Sequence, residues 1–286
     1  MNKIFGVIEG FYRRPYKFEQ RMDLINFLSE LGLNTYVYGP KADPYHRREW
    51  RKQYPKKMLH EFARLNDLGK RKSVRVVYAL SPGRAPELPA VRAKIAGMLD
   101  TGIRHYSIFF DDIRVPLNQE TAEKQVAIVN GIYEHLQKKT REHSLSFCPT
   151  QYRGFKRTPY LDYVAANTHP MVDVFWTGKY VVSPRITEKD ISRITRILGR
   201  PVLIWDNIFA NDYIPGKILC FPYRYRAPGI TRTIKGILIN PMNNYLASKP
   251  LIYTAARFFL DPGNYSPAKT WKQAIQSTRD VHLRCS

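Results

Sequence analysis

The feature of this sequence that most constrains its fold is a repeated alternation of short apolar runs with longer segments of helical period. Short apolar runs are typical of strands that are buried on both faces of a parallel sheet. Because such runs alternate with helical segments, the pattern predicts βα units. Eight runs qualify as strands, near residues 4–7, 35–38, 74–80, 106–110, 145–148, 172–176, 202–205 and 237–239.

Helical periodicity fills several of the intervening segments. Apolar residues recur at three- and four-residue spacing over 18–28, with charged residues on the other faces. Thr187, with Asp190 three residues later, predicts a capped helix start. Similar patterns predict helices over 91–99, 121–136, 188–198 and 245–259.

Eight strands with intervening helices predict an α/β fold, a (β/α)8 TIM-type barrel that forms a single catalytic domain over 1–286. Such barrels typically need about 250 residues. A doubly wound open sheet is the main alternative. It is disfavoured because no glycine-rich phosphate loop follows any predicted strand, and Gly6 and Gly10 alone do not make the G-x-G-x-x-G pattern.

The first residues lack the apolar run of about 7–15 residues that marks a cleaved signal peptide. No segment approaches the roughly 18 consecutive apolar residues of a membrane span. We therefore expect a cytoplasmic protein without a membrane span, unless it is exported by a route that needs no cleaved signal.

Three cysteines, Cys148, Cys220 and Cys285, match neither a disulfide framework nor a zinc pattern. Cys148 lies in an apolar run and is expected to be a buried thiol. We therefore expect no metal site at these cysteines.

The chain carries 46 basic and 24 acidic residues, a formal charge of +22. Such a charge predicts attraction to polyanions such as nucleic acid, anionic lipid or acidic glycans. The basic residues are spread along the chain without a block of five or six in a row. A solvated basic surface without a dedicated partner is therefore the alternative.

Polar and aromatic residues follow the predicted strands, where a TIM barrel builds its active site. Carboxylates, amides and lysine can hydrogen-bond sugar hydroxyls, and aromatic rings offer flat faces to a pyranose. Each also has a structural alternative, as a barrel-end salt bridge, a core aromatic or a turn former. The residues are Glu9, Gly10, Lys41, Asp111, Asp112, Tyr152, Trp176, Trp205, Asn207, Asp212 and Asn240.

Asp111 and Asp112 directly follow the apolar run 108–110. Two carboxylates this close do not both ionise cheaply, and partial desolvation raises the pKa of at least one. Glycosidic bond cleavage needs a protonated acid near neutral pH. Neighbouring aspartates suit substrate-assisted cleavage, in which one carboxylate orients an acetamido group and the other is the general acid and base. The alternative is a pair of acids on a surface loop.

The chain resembles glycoside hydrolase family 84, the O-GlcNAcase and bacterial β-N-acetylglucosaminidase family. The resemblance runs in family order along almost the whole chain. The matching stretches are GVIEGFY at 6–12, LGLNTYVYGPKADPYHRREWR at 31–51, FFDDI at 109–113, CPTQY at 148–152, FWTGKYVVS at 175–183, IWDNIFANDY at 204–213 and INPMN at 239–243.

The resemblance implies no metal and no organic cofactor, and it implies a role for each matching residue. Asp111 would polarise the acetamido group and Asp112 would be the general acid and base. Tyr152 would hydrogen-bond near a forming oxazoline, and Trp205 would help to wall the acetamido pocket. The remaining residues would contact sugar hydroxyls or the acetamido group; they are Gly10, Lys41, Asn207, Asp212 and Asn240.

Two positions and one segment depart from the family pattern. Arg13 stands where the family commonly has Gly, and a bulky cation there would narrow the mouth or bind an acidic aglycone. Ala42 replaces the middle residue of the family's Lys-Asp-Asp. The segment 215–232 is basic and aromatic and looks divergent.

Together these features predict a retaining β-N-acetylglucosaminidase that works by substrate assistance through an oxazoline. Its expected partner is a glycoprotein or glycan bearing terminal N-acetylglucosamine, and a hyaluronan-like polymer stays open. One alternative is a catalytically weak N-acetylglucosamine-binding protein on the same barrel. Another is a polyanion-binding protein with a vestigial site, which rests on the net charge.

Overall fold

The computed structural model describes residues 3–214 and 216–283, and of residues 279–283 only the backbone. Eight parallel strands form a closed barrel in chain order, with β8 beside β1. The predicted (β/α)8 fold is thus confirmed, and the open sheet is excluded. The strands are β1 Ile4–Glu9, β2 Thr35–Tyr38, β3 Arg75–Leu80, β4 His105–Phe109, β5 Ser144–Cys148, β6 Asp173–Trp176, β7 Leu203–Asp206 and β8 Gly236–Ile239.

Helices pack around the barrel between successive strands. All five predicted helical segments are present, and the Thr187–Asp190 capping box forms, with Thr187 N donating to Asp190 Oδ2 at 2.8 Å. The described helices are α1 Phe18–Glu30, α2 Lys56–Arg71, α3 Leu88–Leu99, α4 Gln119–Lys139, α5 Pro159–Asn167, α6 Glu188–Leu198, α7 Ile230–Thr233, α8 Tyr245–Leu260 and α9 Pro267–Leu283.

The sequence patterns did not predict α2, α5, α7 or α9. The buried apolar face of α2 is narrow, with Phe62, Leu65 and Leu68 among many charged residues. Helices α5 and α7 are short, which leaves little room for a periodic signal. Their positions follow from the fold, because each crossover between parallel strands needs a covering element.

The barrel interior forms its own apolar cluster, distinct from the layer between strands and helices. Near its carboxyl end the rings of Phe109 and Trp205 lie 4.9 Å apart, with Phe175 against both. This packing fixes Trp205 against the barrel interior at the carboxyl ends of the strands. Cys148 is buried in the same cluster, as predicted, whereas Cys220 is exposed and Cys285 lies outside the described residues.

No helix within the described ranges 3–214 and 216–283 has the length and apolar character needed to cross a membrane.

Candidate active site

A cavity of about 400 Å³ opens at the carboxyl ends of the barrel strands. The structure brings all nine sequence-predicted site residues to its wall. They come from six different strands and the loops that follow them, so the closed barrel is what assembles them. They are Gly10, Lys41, Asp111, Asp112, Tyr152, Trp205, Asn207, Asp212 and Asn240.

Asp111 is buried at the base of the cavity just beyond β4. Its Oδ2 accepts a hydrogen bond from Lys41 Nζ at 2.5 Å. Lys41 is itself buried, and its Nζ lies 5.3 Å from the ring centroids of both Phe109 and Trp205. The other carboxylate oxygen, Oδ1, is buried and has no hydrogen-bond partner among the described residues. The carboxylate is therefore held in place while one acceptor stays free for a ligand.

Asp112 lies nearer the mouth and has a left-handed backbone, with φ of 54°. Tyr152 donates to its Oδ1 at 2.8 Å and Tyr12 donates to its Oδ2 at 2.7 Å. Burial raises the pKa of Tyr12 to about 12, which keeps its hydroxyl protonated as a donor. Two phenols therefore hold this carboxylate on both oxygens.

The pKa of Asp112 is lowered from its ordinary value. Burial raises it, but the positive charge of Lys41 and the hydrogen bonds from Tyr12 and Tyr152 outweigh burial, with a further contribution from Arg47. The pKa of Asp112 thus moves opposite to what crowding of two carboxylates alone would predict. The reason is that the neighbouring lysine, arginine and phenols stabilise the anion.

Arg47 is a second cation close to Asp112. It donates to the Tyr12 hydroxyl at 2.8 Å and to the Asp112 backbone oxygen at 3.4 Å. Replacing it with Gln should raise the pKa of Asp112, because a positive charge that favours the anion is removed. If Asp112 is the acid, the alkaline limb of the pH profile of kcat/KM moves to higher pH. Arg48→Gln is the matched control, since exposed Arg48 pairs with Glu49 outside the cavity; an unmoved limb in Arg47→Gln would contradict this reasoning.

Gly10, Asn240 and Asn207 form a hydrogen-bonded chain along one wall. Asn240 Oδ1 accepts from Gly10 N at 3.1 Å, and Asn240 Nδ2 donates to Asn207 Oδ1 at 2.9 Å. Asn207 Nδ2 in turn donates to the Val181 backbone oxygen at 2.8 Å. A Cβ at position 10 would lie 2.2 Å from a ring atom of Trp205. Glycine therefore allows the indole to reach the cavity wall.

Asp212 lies at the rim, where its side chain accepts from Tyr12 N at 2.7 Å. Its backbone oxygen accepts from Arg13 Nε at 2.7 Å. These contacts join the loop after β1 to the loop after β7. The exposed rings of Tyr12 and Tyr213 border the same opening and provide flat surfaces for a sugar or its aglycone.

Seven residues of the cavity wall were absent from the predicted set, and Arg47 outside the wall was missed as well. Tyr12 and Tyr213 each follow a predicted strand, so their positions were the available signal. Val181 and Val182 are apolar residues in a loop and give no local sign of a binding role. The seven wall residues are Tyr12, Cys148, Thr177, Val181, Val182, Ala210 and Tyr213.

Two carboxylates at strand ends form buried ion pairs and do not line the cavity. Arg21 contacts both oxygens of Glu9 at 2.8 Å, and both residues are buried. Arg226 binds Asp206 at 2.6 Å, and both side chains are almost fully buried. The basic and aromatic character of 215–232 is thus partly structural. Trp176 is likewise a core aromatic, donating to the Gly154 backbone oxygen at 3.1 Å.

The structure shows where the two residues that depart from the family pattern, Ala42 and Arg13, are placed. Ala42 is exposed, so an acid there would not join a buried network. The adjacent Asp43 is buried and accepts from the hydroxyls of Tyr38 and Tyr54. Arg13 is exposed and has a φ of 71°, in the left-handed region where glycine is unstrained. This geometry explains why glycine suits the position.

Arg13→Gly is expected to be more stable than Arg13→Ala by about 0.5–1 kcal/mol, because both variants lose the hydrogen bond from Arg13 Nε to the Asp212 backbone oxygen and only glycine relieves the left-handed strain. The left-handed conformation costs a non-glycine residue about 1–2 kcal/mol, of which the greater flexibility of glycine in the unfolded chain takes back about half. The measurement is guanidinium denaturation. The control is Arg14→Gly compared with Arg14→Ala, because Arg14 is exposed and has no positive φ; there the glycine variant should be the less stable of the two. A glycine variant that is less stable than the alanine variant at both positions would show that the strain at Arg13 is negligible.

Within the described residues, no group of three or more His, Cys, Asp or Glu side chains is placed to hold a metal ion.

A (β/α)8 barrel that gathers paired carboxylates, amides and aromatic rings around one cavity has the architecture of a glycoside hydrolase. The family model for beta-N-acetylglucosaminidase matches residues 5–284. The chain belongs to this family.

Individual relatives agree with the family match. Protein O-GlcNAcase of Rattus norvegicus is 34% identical over 273 residues, covering 89% of this chain and 30% of that protein. The Mus musculus protein gives the same values. The chain therefore spans about 30% of the length of these relatives. An Asp-to-Asn mutant of the Thermobaculum terrenum O-GlcNAc hydrolase has a similar structure, with a TM-score of 0.91 and 31% identity over 96% of this chain and 62% of that one.

Proposed function

We propose that this chain is a retaining β-N-acetylglucosaminidase that removes terminal N-acetylglucosamine by substrate-assisted catalysis. One observation carries the proposal. A carboxylate held by a buried lysine keeps a free buried oxygen, and its chain neighbour is a second carboxylate in the same cavity. The cavity volume of about 400 Å³ falls within the range of about 300–1,000 Å³ of small-ligand sites.

In the first step the oxygen of the substrate's acetamido group attacks C1 of the sugar. Asp111 Oδ1 accepts the acetamido N–H, which orients the group and makes its oxygen more nucleophilic. Lys41 fixes the orientation of that carboxylate through Oδ2. The C1–O bond to the aglycone breaks as the C1–O bond of the oxazoline forms.

Asp112 supplies the proton that the leaving oxygen needs, and then removes a proton from the water that attacks C1 as the C1–O bond of the oxazoline breaks. In the unliganded site the pKa of Asp112 is lowered, so the anion is favoured. A bound substrate that displaces water and takes over the contacts of Tyr12 would raise that pKa. Because C1 inverts twice, the product keeps the anomeric configuration of the substrate.

The walls complete the sugar site. Trp205 borders the acetamido group, and Gly10, Asn207, Asp212 and Asn240 supply donors and acceptors for the sugar hydroxyls and the acetamido group. The relatives named as O-GlcNAcases favour proteins bearing O-linked N-acetylglucosamine as the substrate class.

Turnover of 4-nitrophenyl β-N-acetylglucosaminide tests the proposal. We expect release of 4-nitrophenol, and proton NMR of the fresh product should show the β-anomer first. A product that appears first as the α-anomer would exclude a retaining mechanism. Tight binding of an oxazoline-like inhibitor without any turnover would instead identify a sugar-binding protein. An O-GlcNAc-modified peptide then tests the substrate class.

A further inference from the structure

A second cavity, of about 310 Å³, lies at the opposite end of the barrel from the candidate active site. It is formed by the last turns of α2 and by the residues that begin β3 and β4, such as Arg75 and His105. It shares no lining residue with the cavity at the carboxyl ends of the strands. It is therefore a separate site and not an extension of the sugar pocket.

The lining of this amino-terminal cavity is strongly basic. Lys3, Lys70, Arg75 and Arg104 contribute four positive charges, against the single carboxylate of Glu142. Neither Lys70 nor Arg104 has a carboxylate at ion-pair distance among the residues that the structure describes. Like charges around one concave space repel one another, and a bound anion would remove that repulsion.

The pKa of His105 reflects the positive charge of the same cavity. Burial, followed by the positive charges of Arg75, His143 and Arg104, lowers its pKa to about 3. The imidazole is therefore neutral at physiological pH. A further positive charge would be unfavourable in this cavity, whereas a negative charge would be favoured.

Asn66 provides an independent indication of a ligand. It lies in α2, is only 5% exposed, and its Nδ2 has no hydrogen-bond partner in the part of the chain that the structure describes. A Cβ placed on Gly102 would lie 2.9 Å from Asn66 Nδ2 and 3.6 Å from Lys70 Nζ. The two donors therefore border the same free space. A buried amide without a partner is costly, and an anionic oxygen in this space would satisfy it.

We propose that the amino-terminal cavity binds a small anion with two or more phosphoryl groups, either free pyrophosphate or the diphosphate of a nucleotide. Lys70 and Asn66 would donate to one phosphoryl group, with Arg75 and Arg104 supplying charge around the rest. The cavity has room for more than a single phosphate. Its described lining contains no Phe, Tyr or Trp on which a base could stack. Recognition thus rests on the phosphoryl groups. This proposal does not depend on the glycosidase activity.

Isothermal titration calorimetry with pyrophosphate, at constant ionic strength set with sodium chloride, tests the proposal on the intact chain. We expect saturable binding, weakened about tenfold in Lys70→Gln, the effect of losing one charge-assisted hydrogen bond. Arg71→Gln is a matched control, because Arg71 is the next residue in α2, is exposed and lies outside the cavity. It should change the affinity less than about twofold.

Asn66→Asp is a second variant of nearly unchanged size. It should abolish pyrophosphate binding, since it places a negative charge beside the ligand; thermal unfolding checks that it is folded. Turnover of the glycoside by Lys70→Gln should equal that of the parent. Tighter binding of ADP than of pyrophosphate would assign the site to nucleotides, and binding of pyrophosphate that is tighter than that of ADP would assign it to the free anion; adenosine should not bind in either case. Absence of saturable pyrophosphate binding, or equal weakening in Lys70→Gln and Arg71→Gln, would overturn the proposal.

Discussion

Asp112→Asn is expected to lower kcat by about 10²–10⁴-fold, the usual contribution of a general acid and base. Asparagine keeps the size of the side chain and can still contact Tyr12 and Tyr152, so the cavity should keep its shape. The substitution removes the transferable proton of the first step and the carboxylate that serves as the base of the second. The effect should grow as the leaving group becomes poorer, because a weakly acidic alcohol depends more on protonation than 4-nitrophenol does.

Asp111→Asn should be equally damaging for a different reason. The amide cannot accept the acetamido N–H in the same way, and it loses its charge interaction with Lys41. Its loss should be nearly independent of the leaving group, since Asp111 acts on the nucleophile. The measurement is kcat and kcat/KM for both variants on a nitrophenyl and a methoxyphenyl glycoside.

The control for both substitutions is Asp100→Asn, an exposed aspartate beyond the end of α3, which should turn over normally. Thermal unfolding establishes that each variant is folded. Identical leaving-group dependence of the two active-site variants would refute the separate roles. Normal turnover by both variants would contradict the proposed mechanism.

The fold was predictable because each strand of a parallel barrel leaves a local signal in the sequence. Strands buried on both faces must be apolar along their whole length, and β2 at Thr35–Tyr38 has the predicted bounds. β1 continues to Glu9, two residues past the predicted run. A buried carboxylate looks like a strand end in sequence. The partner that makes it tolerable, Arg21, lies in another element and is visible only in the fold.

The sequence predicted which residues line the site but not the direction in which the pKa of Asp112 shifts. A residue that follows a barrel strand must lie near the carboxyl-end cavity, so position alone indicated Lys41 and Asn240. The lowered pKa of Asp112 depends first on the charge of Lys41 and then on Tyr12, Tyr152 and Arg47, and the approach of Tyr12 and Arg47 is set by loop geometry. No periodicity encodes that approach. Sequence reasoning therefore captured which groups meet, whereas their protonation depends on how they are arranged.

A substrate without the acetamido group is expected to be nearly inert. With the 4-nitrophenyl glucoside in place of the N-acetylglucosaminide, kcat/KM should fall by about 10⁴-fold or more. The reason is that a well-oriented internal nucleophile has an effective concentration of about 10⁵–10⁸ M, which water does not match. A glycosidase with its own carboxylate nucleophile would lose only the binding contribution of the acetamido group.

Binding must be separated from chemistry in this comparison. Competitive inhibition by the glucoside reports whether it still occupies the cavity. Substrates with one, two or three fluorines on the acetyl methyl group provide a graded readout, because fluorine withdraws electron density from the acetamido oxygen while the sugar stays the same. If that oxygen forms the bond to C1 beside Asp111, kcat/KM falls with each fluorine. A flat series would show that the nucleophile comes from elsewhere, and the free oxygen of Asp111 would then need another explanation.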